Sequence, residues 1–187
     1  MEEEVQLILE DTEERMQGPL RKLDSDLSKL RAGKASPAML DTVMVDYYGT
    51  MTPINQVANI NTPDPRTLVV QPWEKGISAA IEKAILQANL GLTPINDGQL
   101  IRINIPALTE ERRKELVRQV KSESENAKVS VRNIRRDANE MLKKLQKDGL
   151  SEDIVKKNEI EIQKITDSTI EEIDKKVEVK EEDLLTV

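Results

Sequence analysis

The chain has 187 residues, a formal net charge of −7, and neither histidine nor cysteine, so it lacks the commonest general base, the commonest metal ligand and any thiolate nucleophile. Charged residues make up 34% and aromatic residues 2%, a composition typical of long helices between charged surfaces. No apolar run is long enough to predict a membrane span, and the first residues are acidic, unlike a signal or transit peptide. We therefore expect a cytoplasmic protein that uses no cofactor or metal.

A first long helix is predicted from about Glu4 to Leu30, because residues that can be buried recur every three or four positions. This stripe consists of Val5, Leu9, Thr12, Met16, Leu20, Leu23, Leu27 and Leu30. Gly18 and Pro19 interrupt it, and a proline removes a backbone hydrogen bond from a helix interior. The sequence therefore predicts either a kink or a new helix start near Pro19.

The middle of the chain has the pattern of a small α+β unit. Alternating and β-branched residues predict strands at 41–48, 52–60, 66–73 and 99–106. Proline- and glycine-containing segments predict turns at 62–65 and 94–98. Between them, Ile81, Ala84, Ile85 and Ala88 have helical spacing, with Gly91 as the predicted C-terminal cap.

Two more long helices follow, and they complete a predicted bundle. Thr109 and the acids after it are suited to begin a helix that continues to about Lys147, and Ser151 is suited to cap the next one. The turn at 148–150 is so short that these helices must be antiparallel. The expected fold is α+β: an antiparallel three-helix bundle (1–30 and 107–187) with an inserted α+β domain (31–106).

Two short connections join the predicted domains, at 31–39 and 104–108. Both contain proline and little that could pack broadly. They predict a hinge that involves Ser36, Pro37 and Pro106.

Positive charge is concentrated in the second long helix, where residues 109–147 carry twelve bases and seven acids. Projection at about 100° per residue separates a core sector from a basic sector roughly 40 Å long. The core sector holds Leu116, Val120, Ala127, Val131, Ile134, Ala138, Met141, Leu142 and Leu145. The basic sector, called here the basic ridge, holds Lys114, Arg118, Lys121, Lys128, Arg132, Arg135, Arg136, Lys143 and Lys147, with Glu125 as its one acid.

Arginine at the centre of the ridge favours phosphate contact, because the guanidinium binds phosphate oxygens through two parallel hydrogen bonds. The flanking helices are acidic and would repel nucleic acid elsewhere, which would orient binding. Two other interpretations stay open at this point. In the first, the ridge is a solvated face paired with its acidic neighbours. In the second, the bundle is an adaptor that recruits a protein partner through its acidic helices. No phosphate-binding glycine loop or acid–base pair is recognisable, so we do not expect an enzyme.

Several long stretches resemble the bacterial ribosome recycling factor family, over essentially the whole chain. They are KLRAGKASPAMLDTVMVDYYGTMTPINQVA (29–58), TLVVQPW (67–73), IEKAILQANLGLTPINDG (81–98), LTEERRKELVRQV (108–120) and VRNIRRDANEMLKKL (131–145).

The resemblance implies an L-shaped pair of domains that binds the large (50S) ribosomal subunit after polypeptide release. With elongation factor G and its GTP hydrolysis, such a protein splits the ribosome and lets mRNA and deacylated tRNA leave. The expected partners are large-subunit ribosomal RNA and elongation factor G, with neither DNA nor membrane, and the expected state is a monomer without a catalytic group. The implied RNA-binding residues are Arg132, Arg135, Arg136, Arg113, Arg31 and Lys34, to which the projection adds Lys128, Lys121 and Arg118. The family's hinge falls on 31–39 and 104–108.

Overall fold

A computed structural model describes residues 1–30 and 33–186. Contacts divide the chain into two compact units, Met1–Arg31 with Glu110–Val187, and Ala32–Thr109. The sequence-based boundary at 106/107 lies inside the second unit, which extends to Thr109. The described residues form four α-helices and two antiparallel sheets, which confirms the predicted α+β class. The helices are α1 (Glu2–Lys29), α2 (Ser78–Gln87), α3 (Glu110–Lys147) and α4 (Glu152–Leu185).

The first unit is the predicted three-helix bundle of α1, α3 and α4. The Thr169 hydroxyl lies 3.6 Å from the sulfur of Met16, and the Lys176 ammonium lies 2.9 Å from Asp24. From the first contact to the second, the residue number rises in both helices, so α1 and α4 are parallel. The turn at 148–150 reverses the direction between α3 and α4, so α3 is antiparallel to both. The Ser151 side chain caps α4 by accepting from the Ile154 N–H, as predicted.

Helix α1 continues without a break through Gly18 and Pro19. The predicted new helix start near Pro19 is therefore wrong, whereas a kink there stays a prediction. Met16, Leu20 and Leu23, on either side of the proline, are buried against the other two helices. Burial on both sides offsets the missing backbone hydrogen bond, since packing supplies most of the stability of a helix in a protein.

The core face of α3 agrees with the projection. Seven of the nine predicted residues are buried: Leu116, Val120, Ala127, Val131, Ile134, Ala138 and Leu142. Leu145 is half-buried, and Met141 is 37% exposed at the edge of the stripe. Ser124 is also buried in this face, a position that apolar periodicity overlooks because serine is polar.

The second unit contains a hairpin and a four-stranded sheet that pack with α2 around one core. The hairpin strands are β1 (Met44–Tyr47) and β2 (Thr50–Pro53). The larger sheet has the order β3-β4-β6-β5, with β3 (Ala58–Asp64), β4 (Thr67–Pro72), β5 (Pro94–Asn96) and β6 (Ile101–Asn104). Fully buried residues of the core include Leu40, Val45, Ile54, Leu68, Val70, Ile81, Ile85, Ile101 and Ile103.

Four local predictions for this unit are wrong. The turn predicted at 62–65 falls mostly within β3, which continues to Asp64. The segment 52–60 is not one strand, because a 3-10 turn at Ile54–Gln56 separates β2 from β3. The predicted turn at 94–98 contains β5, which adds to the edge of the sheet beside β6. Helix α2 ends at Gln87 rather than at Gly91, since Asn89 adopts the left-handed backbone conformation (φ 52°) that closes such a helix.

The predicted hinge residues are attached to the second unit. The Ala35 N–H donates to the Pro65 carbonyl at 2.7 Å. The Ser36 hydroxyl accepts from the Ala38 N–H, capping the 3-10 helix Pro37–Leu40. The first connection is thus ordered within this unit from Ala35 onward.

The second connection is anchored in a similar way. The Ile105 N–H donates to the Arg66 carbonyl at 2.7 Å, and the exposed Pro106 follows directly. A hinge role for Ser36, Pro37 and Pro106 stays a prediction. Within residues 1–30 and 33–186, no helix is long and apolar enough to cross a membrane.

Candidate nucleic-acid interface

The basic ridge covers one side of α3, next to the buried stripe that holds this helix in the bundle. Because an α-helix repeats about every 3.6 residues, fixing the stripe also fixes the direction of the ridge. Most ridge side chains belong to exposed residues: Lys114, Arg118, Lys121, Arg132, Arg136, Lys143 and Lys147. Lys128 and Arg135 are half-buried at its margin.

Several ridge cations have no carboxylate partner. Arg118, Lys121, Arg136, Lys143 and Lys147 make no ion pair with any residue that the structure describes. The first ridge residue, Lys114, is 3.2 Å from Glu110 in the first turn of α3. A row of unpaired cations leaves positive charge that is available to an external anion, such as a nucleic-acid backbone.

Helix α4 orients the two half-buried members of the ridge. The Lys128 ammonium lies 2.7 Å from the Asp174 carboxylate. The Arg135 guanidinium donates to the Gln163 side-chain oxygen at 3.4 Å, a long hydrogen bond, and Gln163 in turn donates to Asp167 at 2.8 Å. These contacts hold the stems of Lys128 and Arg135 against the bundle and direct their charges along its edge.

Sequence reasoning missed these partners, because they lie on another helix and only its register against α3 brings them near. The short turn at 148–150 is not a sufficient signal. Arg135 and Gln163 both stand fourteen residues from Gly149, but Lys128 stands twenty-one and Asp174 twenty-five residues from it, so the turn alone does not give the register.

Arg132 is bound within the ridge itself. Its guanidinium lies 3.0 Å from the Glu125 carboxylate, although both side chains remain substantially exposed. Of the exposed ridge arginines, Arg132 is thus paired with an acid, whereas Arg118 and Arg136 have no acidic partner among the described residues.

The stretch from Val131 to Glu140 contains both ridge arginines and a residue that binds α1. Its arginines face solvent or the ridge margin, whereas Asp137 faces α1 and accepts from Arg15 at 2.7 Å. Asn139 is half-buried, and its side-chain oxygen is buried without a hydrogen-bond partner in the described structure. This segment both fastens α3 to α1 and presents the cations.

The remaining predicted RNA-binding residues lie elsewhere. Arg113 is half-buried in the first turn of α3, with its Nε atom buried and without a hydrogen-bond partner among the described residues. Lys34 belongs to the second unit and is half-buried there. Arg31 lies outside the described residues.

A separate polar cluster marks the hairpin of the second unit. The hydroxyls of Tyr47 and Tyr48 donate to the two carboxylate oxygens of Glu74 at 2.8 and 2.9 Å. These hydrogen bonds raise the pKa of both tyrosines above the ordinary value of 10.0. The two hydrogen bonds tie the tip of the hairpin to Glu74, which follows β4.

Comparison with known proteins gives a consistent result. The sequence model of the family described as Ribosome recycling factor matches residues 23–185. A ribosome-recycling factor of Syntrophomonas wolfei is 56% identical over 181 residues, covering 96% of this chain and 98% of that protein. A second, of Oleidesulfovibrio alaskensis, is 52% identical over 181 residues with the same coverage.

Solved structures agree with these sequence matches. The solution structure of a ribosome recycling factor has a TM-score of 0.78 at 40% identity and covers 98% of both chains. The Thermus thermophilus ribosome recycling factor, in a structure that places it with Escherichia coli elongation factor G on the E. coli post-termination complex, has a TM-score of 0.62 at 49% identity. That match covers 97% of this chain and 99% of the other.

Proposed function

Since this chain belongs to the ribosome recycling factor family, we propose that it splits post-termination ribosomes together with elongation factor G and GTP. In this proposal the basic ridge docks on large-subunit ribosomal RNA. The relative from T. thermophilus, bound with elongation factor G to a post-termination complex, supports the choice of the ribosome and elongation factor G as partners.

The observation that carries the docking surface is the row of unpaired cations on α3. Arg118, Lys121 and Arg136 have no acidic partner among the described residues, so they keep their charge for an external phosphate. Phosphate contacts fix affinity and orientation without reading sequence, which suits a factor that must recognise one surface of a large RNA.

The protein's proposed contribution is mechanical. It supplies no catalytic group, and the energy for splitting comes from GTP hydrolysis by elongation factor G. The bundle stays docked as a stiff element, while the connections near Ser36, Pro37 and Pro106 let the second unit swing. The split then releases mRNA and deacylated tRNA. In this proposal the protein is a monomer and acts in the cytoplasm, where translation terminates.

The adaptor hypothesis has less support, because the family that matches the chain is one of ribosome recycling factors. The acids of α4 do not decide between the two hypotheses. Four of the twelve pair with lysines of the same helix, among them Glu152 with Lys156 at 2.7 Å and Glu171 with Lys175 at 3.0 Å.

Purified post-termination complexes test the proposal directly. Separation into subunits, followed by light scattering, should require this protein, a matched elongation factor G and GTP together. Leaving out any one of them, or replacing GTP with a non-hydrolysable analogue, should abolish the change. Intact ribosomes in the complete mixture would contradict the proposed function.

A further inference from the structure

The pair between Arg132 and Glu125 has an unusual spacing. The two residues are seven apart, so they lie about two helical turns and roughly 10 Å of axis from each other, on nearly the same side of α3. Helical side chains lean towards the N-terminus, so the long Arg132 side chain can reach back along the ridge to Glu125. The 3.0 Å contact draws the guanidinium along the helix surface.

This pair contributes little to stability. The Arg132 side chain is 44% exposed and the Glu125 side chain 60% exposed, and water and salt screen an ion pair of this kind. It bears on binding nevertheless, because any phosphate that takes Arg132 must displace a carboxylate that remains close by. Glu125 therefore acts against anion binding at the centre of a surface that is otherwise cationic.

We propose that Glu125 is a specificity determinant of the basic ridge. Its carboxylate occupies Arg132 in the free protein and disfavours RNA that places a phosphate beside it. The inference rests on the proposed function, since it concerns how the ridge selects among RNAs. A uniform RNA backbone laid along the ridge brings phosphates past every position, Glu125 included. For Glu125 to favour the large subunit, the docking surface has to place a neutral donor there, such as a ribose hydroxyl or a base amino group, rather than a phosphate.

Such a repulsive element solves a physical problem. A continuous row of cations binds every RNA by releasing counterions, without discrimination. One carboxylate in the row costs affinity wherever phosphate must face it and costs little where a hydrogen-bond donor does, which is how unfavourable contacts create specificity.

The test compares Glu125→Gln with the parent protein on two ligands: purified large subunits and a mixed-sequence RNA duplex long enough to span the ridge. Glutamine keeps the size and the hydrogen-bonding oxygen but removes the charge. Affinity for the duplex should rise about two- to fivefold, the range expected when one exposed charge interaction changes. Affinity for large subunits should change less, so the preference for the subunit should fall.

Glu123→Gln is the matched control. It removes the same charge two residues away, but Glu123 lines the groove between α3 and α1, beside Pro19 and Lys22. It should leave the preference for large subunits unchanged. In an Arg132→Ala background, the gain from Glu125→Gln on the duplex should shrink, because there is no guanidinium left to release.

Three results would overturn the inference alone: equal gains for Glu125→Gln and Glu123→Gln, equal gains on both ligands, or an undiminished gain without Arg132. If the parent protein does not bind large subunits at all, the proposed function fails, and this inference fails with it.

Discussion

Arg135 lies at the margin between the basic ridge and the packed interior of the bundle. Its half-buried position and its 3.4 Å hydrogen bond to Gln163 pre-position the guanidinium without neutralising it, since an amide oxygen carries no full charge. A side chain held in this way loses less conformational entropy on binding than a freely rotating one.

Arg135→Ala should weaken binding to large subunits by about 1–3 kcal/mol, the range for a charge-assisted hydrogen bond to phosphate. Arg135→Lys keeps the charge but loses the planar fork, so its affinity should lie between those of parent and alanine variant. The melting temperature must be measured beside the affinity, because the Arg135 stem also covers the bundle and its loss would reduce stability.

The control for Arg135 has to remove one positive charge from α3 without touching the ridge. Lys144→Ala does this, since Lys144 is exposed and projects outside both the basic ridge and the core sector. Asp137, a nearer neighbour, is unsuitable because it binds Arg15 across the bundle at 2.7 Å. Equal losses for the Lys144 and Arg135 variants would mean that net charge, not the ridge, determines binding.

At the scale of the elements, two glycines show that the effect of a substitution on stability depends on the local backbone conformation. Gly18 lies inside α1, where an added Cβ would meet nothing within 4 Å. Gly33 has a φ of 68°, and an added Cβ would lie 2.8 Å from the Cγ atom of Leu108. Apart from chain neighbours, Gly33 is thus the more crowded of the two, and the same substitution should cost more stability at Gly33 than at Gly18.

Gly18→Ala should change the free energy of unfolding by less than about 0.5 kcal/mol, because the clash of the new Cβ with the ring of Pro19 offsets the gain in helix propensity. Gly33→Ala should lower the free energy of unfolding by about 1–3 kcal/mol, because a left-handed backbone conformation is costly for alanine. Urea unfolding measures both: circular dichroism follows the helices, and the fluorescence of Trp73, the one tryptophan, follows the second unit. Equal losses of stability at both glycines would refute this account of the backbone.

Elements differ in how well their sequences predict them, and the reason is length. The stripe of α3 repeats over 38 residues, so each additional turn reinforces the same core face. Strand β5 has only three residues, and its pairing with β6 depends on contacts that no local pattern contains. The end of α2 at Gln87, closed by Asn89 rather than by Gly91, is likewise not given by the local sequence, since both residues adopt the left-handed conformation.

The features of the candidate site also differ in whether the sequence predicts them. The ridge could be predicted, because helical geometry alone determines which side chains share a face. The contacts of Lys128 with Asp174 and of Arg135 with Gln163 could not, because they require the register between α3 and α4. The role of Asp137 in binding Arg15 likewise depends on how α1 packs against α3.

At the scale of the whole molecule, charge is separated within an acidic protein. The net charge is −7, yet residues 109–147 carry five more bases than acids, and residues 149–187 carry twelve acids and six bases. An RNA surface therefore attracts one side of the bundle and is repelled by the rest, which orients the protein before contact. This separation is what the proposed docking of an acidic protein on ribosomal RNA requires.

The affinity for isolated large subunits, measured across a series of salt concentrations, tests the central claim most directly. If the ridge contacts roughly four to six phosphates, log K should fall by several units per tenfold increase in salt, as counterion release requires. Affinity at each salt concentration should also exceed that for small subunits. A flat salt dependence, or equal affinity for the two subunits, would contradict the claim that the basic ridge of α3 docks this protein on large-subunit RNA.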